Sequence, residues 1–593
     1  MGAVPYDGGT TFRVWAPHAE AVFVTGTFDG WAGDATPLAR EGDRAPGTWS
    51  CDVEDVRTGA EYRFTIRTTT GDLSRLDPYA RQVTSSVGNA VVYDAHAFDW
   101  GDGEFRMPTW NDLVIYEMHI GTFAGREGRR GDFDRAIRRL PYLADLGIGA
   151  IQVMPPFEFA GDVSWGYNPA HMFAIESTYG GPDAFKRFIR AAHEHGIAVI
   201  VDVVYNHIGP SDLDLWRFDG WSEGDWGGIY FYNDERAVTP WGATRPDYGR
   251  GEVRAFLRDS ALTWLEEFRC DGLRFDATTY VRSVSGGLAA DADDDAIPDG
   301  WMLLGWINDE IRARQPWKVT IAEDLGEDPS IVAPTDEGGA GFAAQWDTGF
   351  VKTVREALVT PDDAERDVAA VAAAVGGRGR GFSRIVYTES HDDVANGRAR
   401  LPEEIRPGDA ASWWSKKRAT LGSALVLTAP GIPMLFQGQE LLEDHWFKDT
   451  VPMDWSKEGL HAGILRLHRD LIRLRRNAEG TTHGLRGQHT KILRVDRRRK
   501  IVAYHRWAGG GPGDDVVVVA NLRNRALTDH RLGLPRQGRW RVRLNTDSAD
   551  YDETFAGHQS LDFDADGGPL DGQGQSGLVN VGPYSAVILS QDP

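Results

Sequence analysis

The stretch Asp271-Gly272-Leu273-Arg274-Phe275-Asp276-Ala277 follows a helix-period apolar pattern over residues 253–268 and reads as a short strand, 272–275, that stops on a carboxylate. An amphipathic helix leading into a short apolar strand is the texture of a βα unit on a parallel sheet. The texture repeats on both sides. Upstream, Leu113-Val114-Ile115-Tyr116 is the first expected strand, followed by a helix that carries Phe133, Ile137 and Leu140 on one face and is interrupted by Pro141. Residues 149–153 form the second strand, and a helix opening at Pro182-Asp183, with Phe185, Phe188, Ile189 and Ala192 as its stripe, leads into the third, 198–201. Downstream, strands are expected at 319–322, 383–387 and 432–436, with a sixth inferred from position near Ala343-Ala344-Gln345-Trp346. The last helix carries Ile464, Leu467, Leu471 and Leu474. Eight such units over about 350 residues fit a closed (β/α)8 TIM barrel with insertions better than an open sheet.

The flanks read differently. Thr11-Phe12-Arg13-Val14-Trp15, Ala21-Val22-Phe23-Val24 and Tyr62-Arg63-Phe64-Thr65-Ile66 carry alternation or β-branched runs separated by Gly, Pro and Asp. A β-sandwich is expected over 1–97, the barrel over 98–476 with inserted loops at 155–181 and 207–250, and an all-β domain over 477–593, marked by Val516-Val517-Val518-Val519 and Trp540-Arg541-Val542-Arg543-Leu544. A multidomain α/β and β chain is what 593 residues require, because one hydrophobic core rarely grows that large.

The net charge of −24 disfavours nucleic acid and anionic membranes as partners, since both repel an acidic surface. No apolar run approaches the length of a membrane span, and the first residues lack a basic flank with an apolar run, so a cytoplasmic protein is expected. The two cysteines, Cys51 and Cys270, give no disulfide framework or thiolate metal site and are expected as small buried hydrophobes. The acidic run Asp291-Ala292-Asp293-Asp294-Asp295 is expected as a solvated loop, because carboxylates in sequence are not a coordination cage. The 21 tryptophans suit sugar-ring faces as well as cores. After His207, a long insertion contains Trp216, Trp221, Trp226, Tyr230, Tyr232 and Trp241, either as stacking platforms for a ligand or as a loop packed by its own aromatics.

Catalytic groups of a barrel belong at the C-terminal ends of its strands. The third strand ends in Asp202, with Asn206 and His207 just after; the fourth ends in Arg274-Phe275-Asp276, the fifth in Glu323-Asp324, the seventh in His391-Asp392-Asp393. Carboxylates converging at one mouth repel, which separates their pKa values and permits acid and base roles near neutral pH. Glycoside hydrolysis needs that arrangement.

The segments 202–207, 271–277, 321–324 and 389–392, in this order, resemble the four signature segments of the α-amylase superfamily, and Trp165-Gly166-Tyr167-Asn168-Pro169 resembles its tyrosine-bearing segment after the second strand. The resemblance implies a retaining enzyme with Asp276 as nucleophile, Glu323 as general acid/base and Asp392 as the third catalytic carboxylate. It implies that Arg274, grouped with the substrate-binding residues, holds Asp276 ionised, that His207 and His391 hydrogen-bond sugar hydroxyls, and that Tyr167 stacks beneath the ring. Asp202 is grouped with the substrate-binding residues, although its position also suits orienting the loop beside Asn206. No cofactor is required; some members bind calcium through the residue at Asn206. Phe12-Arg13-Val14-Trp15-Ala16-Pro17, Phe28-Asp29-Gly30-Trp31 and Asp77-Pro78-Tyr79 resemble the glycogen-binding module that precedes the barrel in branching, debranching and trehalose-releasing enzymes, with Trp31 a candidate sugar platform.

Trp241-Gly242 and Tyr248-Gly249-Arg250 resemble 1,4-α-glucan branching enzymes. Asn168, where that family more often has Gln, and the run Tyr205-Asn206-His207-Ile208-Gly209-Pro210 depart from it toward maltooligosyltrehalose trehalohydrolases. The expected reaction is therefore α-glucan branching by double displacement, the alternative being a hydrolase such as a trehalohydrolase or α-amylase. A noncatalytic glucan-binding protein would have lost a carboxylate, and all three are present.

Overall fold

Eight parallel strands, β1 (Ile115–Met118), β2 (Ala150–Val153), β3 (Ala198–Val203), β4 (Gly272–Phe275), β5 (Val319–Ala322), β6 (Ala344–Trp346), β7 (Arg384–Val386) and β8 (Ile432–Phe436), follow one another around a closed barrel. The computed structural model describes every residue except 44, 288–294 and 380, so Asp291, Asp293 and Asp294 of the acidic run lie outside the described residues. Each strand is covered on both faces, which is why the runs are continuously apolar instead of alternating. Inward residues, among them Ile115, Ile200, Ile321, Trp346, Tyr387 and Met434, fill the lumen, while Val199, Leu273 and Ala322 face the helices outside.

The first strand begins two residues later than expected because Trp110–Asp112 forms a 3-10 turn, and the shift brings Glu117 onto β1. The first helix is split into Phe133–Ile137 and Leu140–Leu146, and Pro141 sits in the first turn of the second piece, where a missing N–H costs nothing. The helices Gly181–Glu194, Gly251–Glu266 and Ala462–Arg475 lie where the apolar periodicity put them.

Ahead of the barrel, a four-stranded and a five-stranded sheet enclose Phe12, Val14, Val22, Val24, Phe64 and Ile66. The strand Glu61–Thr68 alternates strictly between buried and half-buried residues. Trp31 is 40% exposed on this module. The module grips the loop after β3: His18 bonds Asp219 at 2.9 Å and stacks on Trp221 at 4.7 Å, and Arg75 donates to the Phe218 and Arg217 carbonyls at 2.9 and 3.0 Å.

Behind the barrel lies a six-stranded sheet whose central strand, Val516–Asn521, is buried throughout. Val516 and Val518 pack toward the barrel, and Val517 and Val519 toward the sheet's own second layer, which accounts for the four consecutive valines. Cys270 is buried, whereas Cys51 is only half-buried on its strand, a departure from the expectation of two buried thiols. No helix among the described residues is long and apolar enough to cross a membrane.

Candidate active site

Arg274 of β4 and Asp276, which directly follows the strand, point their side chains to the same side because they are two residues apart. Register places Arg274 beside Asp202 of β3 and Ile321 of β5, and Glu323 follows directly on β5. One guanidinium therefore meets three carboxylates. Arg274 Nη1 lies 2.7 Å from Asp202 Oδ2 and donates to Asp276 Oδ1 at 2.9 Å, and Nη2 lies 2.7 Å from Glu323 Oε2. The guanidinium carbon sits 4.3 Å from the centroid of the Trp346 ring, and Arg274 is fully buried.

A single buried positive charge does not balance three buried negative ones, so one carboxyl is favoured in its protonated form. Burial drives the Glu323 carboxyl above the ordinary range, reinforced by Asp276 and Asp392, against the pull of Arg274. Asp276 has its oxygens shared between Arg274 and the Asn206 amide, whose Nδ2 donates to Oδ2 at 2.7 Å. Ala277, next in chain, adopts a left-handed backbone (φ 38°) and its N–H donates to Glu323 Oε2 at 2.9 Å, so the chain turns sharply between the two carboxyl groups.

His391 lies under the mouth with Nδ1 held 2.7 Å from Glu117 Oε1, while Nε2 is 3.5 Å from Asp392 Oδ2. Burial opposes a charge on this ring, but Asp392 and Glu117 outweigh it and push the imidazole up to about 10. Tyr167 stacks on His391 at 4.9 Å and donates its hydroxyl to Asp202 Oδ2 at 2.6 Å. Trp165 and Phe447, 5.5 Å apart, continue the wall. Asp392 has 48% of its side chain exposed and faces the opening.

Three expectations change. Asp202 is wholly buried with both oxygens on Arg274, so it positions the guanidinium and Tyr167 and does not reach a ligand. Arg274, equally enclosed, acts through the carboxylates and not by touching sugar. His207 has both ring nitrogens engaged, Nδ1 by Asn206 Oδ1 and Nε2 by the Tyr167 carbonyl at 2.7 Å, so neither nitrogen is free for a sugar hydroxyl. Asn206 thereby has both ends of its amide occupied and does not fit a calcium ligand, and among the described residues no group of three or more His, Cys, Asp or Glu is arranged to hold a metal ion. Of the loop aromatics, Tyr230 and Tyr232 are buried and Trp216, Trp221 and Trp226 pack against the core. Trp241 is the exception: 49% exposed, stacked on His207 at 4.8 Å and edge-on to Tyr280 at 5.1 Å.

Glu117 was not anticipated. Its signal was present, since Leu113, Ile115 and Glu117 share inward parity and a carboxylate closing that series has to be paired when buried.

Three family models match the chain: carbohydrate-binding module 48 (isoamylase N-terminal domain) over residues 1–80, the α-amylase catalytic domain over 91–217 and the α-amylase C-terminal all-β domain over 493–592. The 1,4-α-glucan branching enzyme GlgB of Corynebacterium jeikeium is 32% identical over 93% of this chain and 78% of its own length. The chain belongs to the branching enzyme family. Another branching enzyme, GlgB of Rhodospirillum rubrum, is 30% identical over 100% of this chain and 82% of its own. Beyond this family, a pullulanase from Anoxybacillus sp. LM18-11, solved with maltotetraose, shares the fold at a TM-score of 0.76 with 23% identity, over 100% of this chain and 87% of that one.

Proposed function

We propose that this protein is a 1,4-α-glucan branching enzyme that cleaves an α-1,4 linkage and rejoins the released chain through an α-1,6 linkage. The observation that carries the mechanism is the Asp276 and Glu323 pair on adjacent nitrogens of one guanidinium. Sharing one guanidinium keeps the two carboxyl groups close, as a retaining pair, roughly 5 Å apart, requires. Asp276 attacks the anomeric carbon and forms the glycosyl ester; protonated Glu323 gives its proton to the departing 4-oxygen. The Glu323 carboxylate then takes the proton of an acceptor 6-hydroxyl as that oxygen displaces Asp276. Asp392 and His391 Nε2 line the sugar side of the opening and bind hydroxyls there, and Tyr167 stacks under the ring. The choice of transfer over hydrolysis rests on the near-full-length likeness to enzymes named for branching. The proposal includes a cytoplasmic enzyme acting on a neutral α-glucan, with no cofactor and neither nucleic acid nor membrane as partner.

Incubation with amylose tests it. Iodine colour is expected to fall while new α-1,6 anomeric proton signals appear and reducing ends stay nearly constant. Reducing ends rising in step with colour loss would identify a hydrolase instead.

Two expected results follow from the geometry. Glu323 must be protonated to act as acid, and burial raises its pKa, so the proton stays on at pH values where an ordinary Glu, near 4.3, has lost it. The alkaline limb of kcat/KM is therefore expected well above that ordinary value and, in Asp392→Asn, to move toward lower pH as a neighbouring negative charge is lost; an unmoved limb in the residual activity would exclude Glu323 as its source. Trp241 offers an exposed face at the mouth. Trp241→Ala is expected to raise KM for amylose roughly fivefold, about 1 kcal/mol of stacking, with little change in kcat; an unchanged KM would place the glucan elsewhere.

A further inference from the structure

Against a chain of net charge −24, one cavity of the C-terminal domain is lined by six arginines, Arg494, Arg498, Arg499, Arg523, Arg525 and Arg531. Its volume is about 680 Å³, within the range of small-molecule sites. Acidic residues do not neutralise it. Arg494 is held by Asp571 at 2.6 Å, Arg499 reaches Asp496 only at 4.0 Å, and Asp529 is the single carboxylate in the wall, so three guanidinium charges are unmatched. The side chains of Arg498 and Arg525 make no hydrogen bond or ion pair among the described residues, and Arg523 Nε is buried without a partner. Guanidinium groups crowded without counter-charge repel one another, and their planar forks match the oxygens of a phosphate group.

The cavity is also held in shape. Two of its loops, around residues 496–500 and 522–526, are fastened to the barrel: Lys500 Nζ donates to the Ala364 and Arg366 carbonyls at 2.7 and 2.8 Å, and the Asn524 N–H to Asp363 Oδ2 at 2.7 Å. A pre-shaped site loses less ordering entropy on binding than a floppy one. We propose that this arginine-lined cavity binds a small phosphorylated ligand, through its phosphate oxygens, at a site separate from the glucan chemistry. The concave shape favours a small phosphate ester over a nucleic acid duplex, whose long run of phosphates a chain of net charge −24 repels.

Titration calorimetry of the full chain with inorganic pyrophosphate tests this. Saturable binding at one site is expected, weakened at least tenfold in Arg498→Ala/Arg525→Ala, a pair whose side chains support nothing else in the fold. Arg523→Ala alone is expected to weaken it severalfold, and melting temperature and amylose activity of the double variant are expected to match the parent. Competition then separates the ligand's source: displacement by glucose 6-phosphate points to a sugar ester, displacement by ADP to a nucleotide. Absence of saturable pyrophosphate binding, equal affinity in the double variant, or binding of heparin without pyrophosphate would each overturn the proposal.

Discussion

Asp276→Asn is expected to lower turnover on amylose by roughly four orders of magnitude or more, the scale of removing one member of a catalytic unit. The replacement keeps the shape, and an amide oxygen still accepts from Arg274 or Asn206, so the loss is chemical and not structural. Glu323→Gln is expected to lose a similar factor on amylose, because the 4-oxygen leaves badly without a proton. The two separate on α-glucosyl fluoride, whose leaving group needs no acid: Glu323→Gln retains a burst of fluoride release, and Asp276→Asn shows none. Unfolding curves matching the parent protein confirm that each variant is folded. Appreciable turnover by purified Asp276→Asn would falsify the double-displacement assignment.

Asp547→Ala is expected to be the most destabilising of the single changes considered, by about 3–5 kcal/mol. Lys417, on the barrel helix Trp413–Thr428, places its Nζ 2.6 Å from Asp547 Oδ1 of the C-terminal domain, and both side chains are wholly buried. Burial outweighs the attraction of Asp547 and pulls the ammonium down to about 8, so the pair itself adds little net stability. Breaking half of it is different, because an ammonium is then left in the domain junction without a counter-charge. Asp547 also accepts from the His558 backbone N–H and approaches its ring at 2.8 Å, contacts that the change removes as well. The midpoint of the first urea transition measures the effect, and Lys417→Met/Asp547→Leu is expected to recover most of it. A shift under 1 kcal/mol in Asp547→Ala would mean that water reaches the junction.

The barrel was legible because parallel strands buried on both faces leave uninterrupted apolar runs, and β4, β5 and β8 begin and end where those runs do. The start of β1 was not, since Leu113 and Val114 are as apolar as the strand they precede, and only the 3-10 turn at Trp110–Asp112 displaces it. Charged strand ends made Asp276, Glu323 and Asp392 readable. Burial of the groups around them was not readable, because whether Asp202 or His207 faces sugar or protein depends on Tyr167, which arrives from a different loop. The aromatic loop had two readings, and the N-terminal module decides between them residue by residue: Trp221 is covered by His18 and Tyr230 meets Trp15 at 5.5 Å, which leaves Trp241 open to the mouth.

Closure of the barrel joins its beginning to its end, with Ile115, Tyr116 and Glu117 of β1 paired to Met434, Leu435 and Phe436 of β8. Glu117 is also the residue that holds His391. On a ribosome, with synthesis at about 5–20 residues per second, β1 waits tens of seconds before its last neighbour exists. Throughout that wait its unpaired edge is open to wrong partners, and the histidine's anchor stands on an unclosed wall. The emerging polypeptide thus cannot complete its catalytic mouth until nearly three quarters of it has been made.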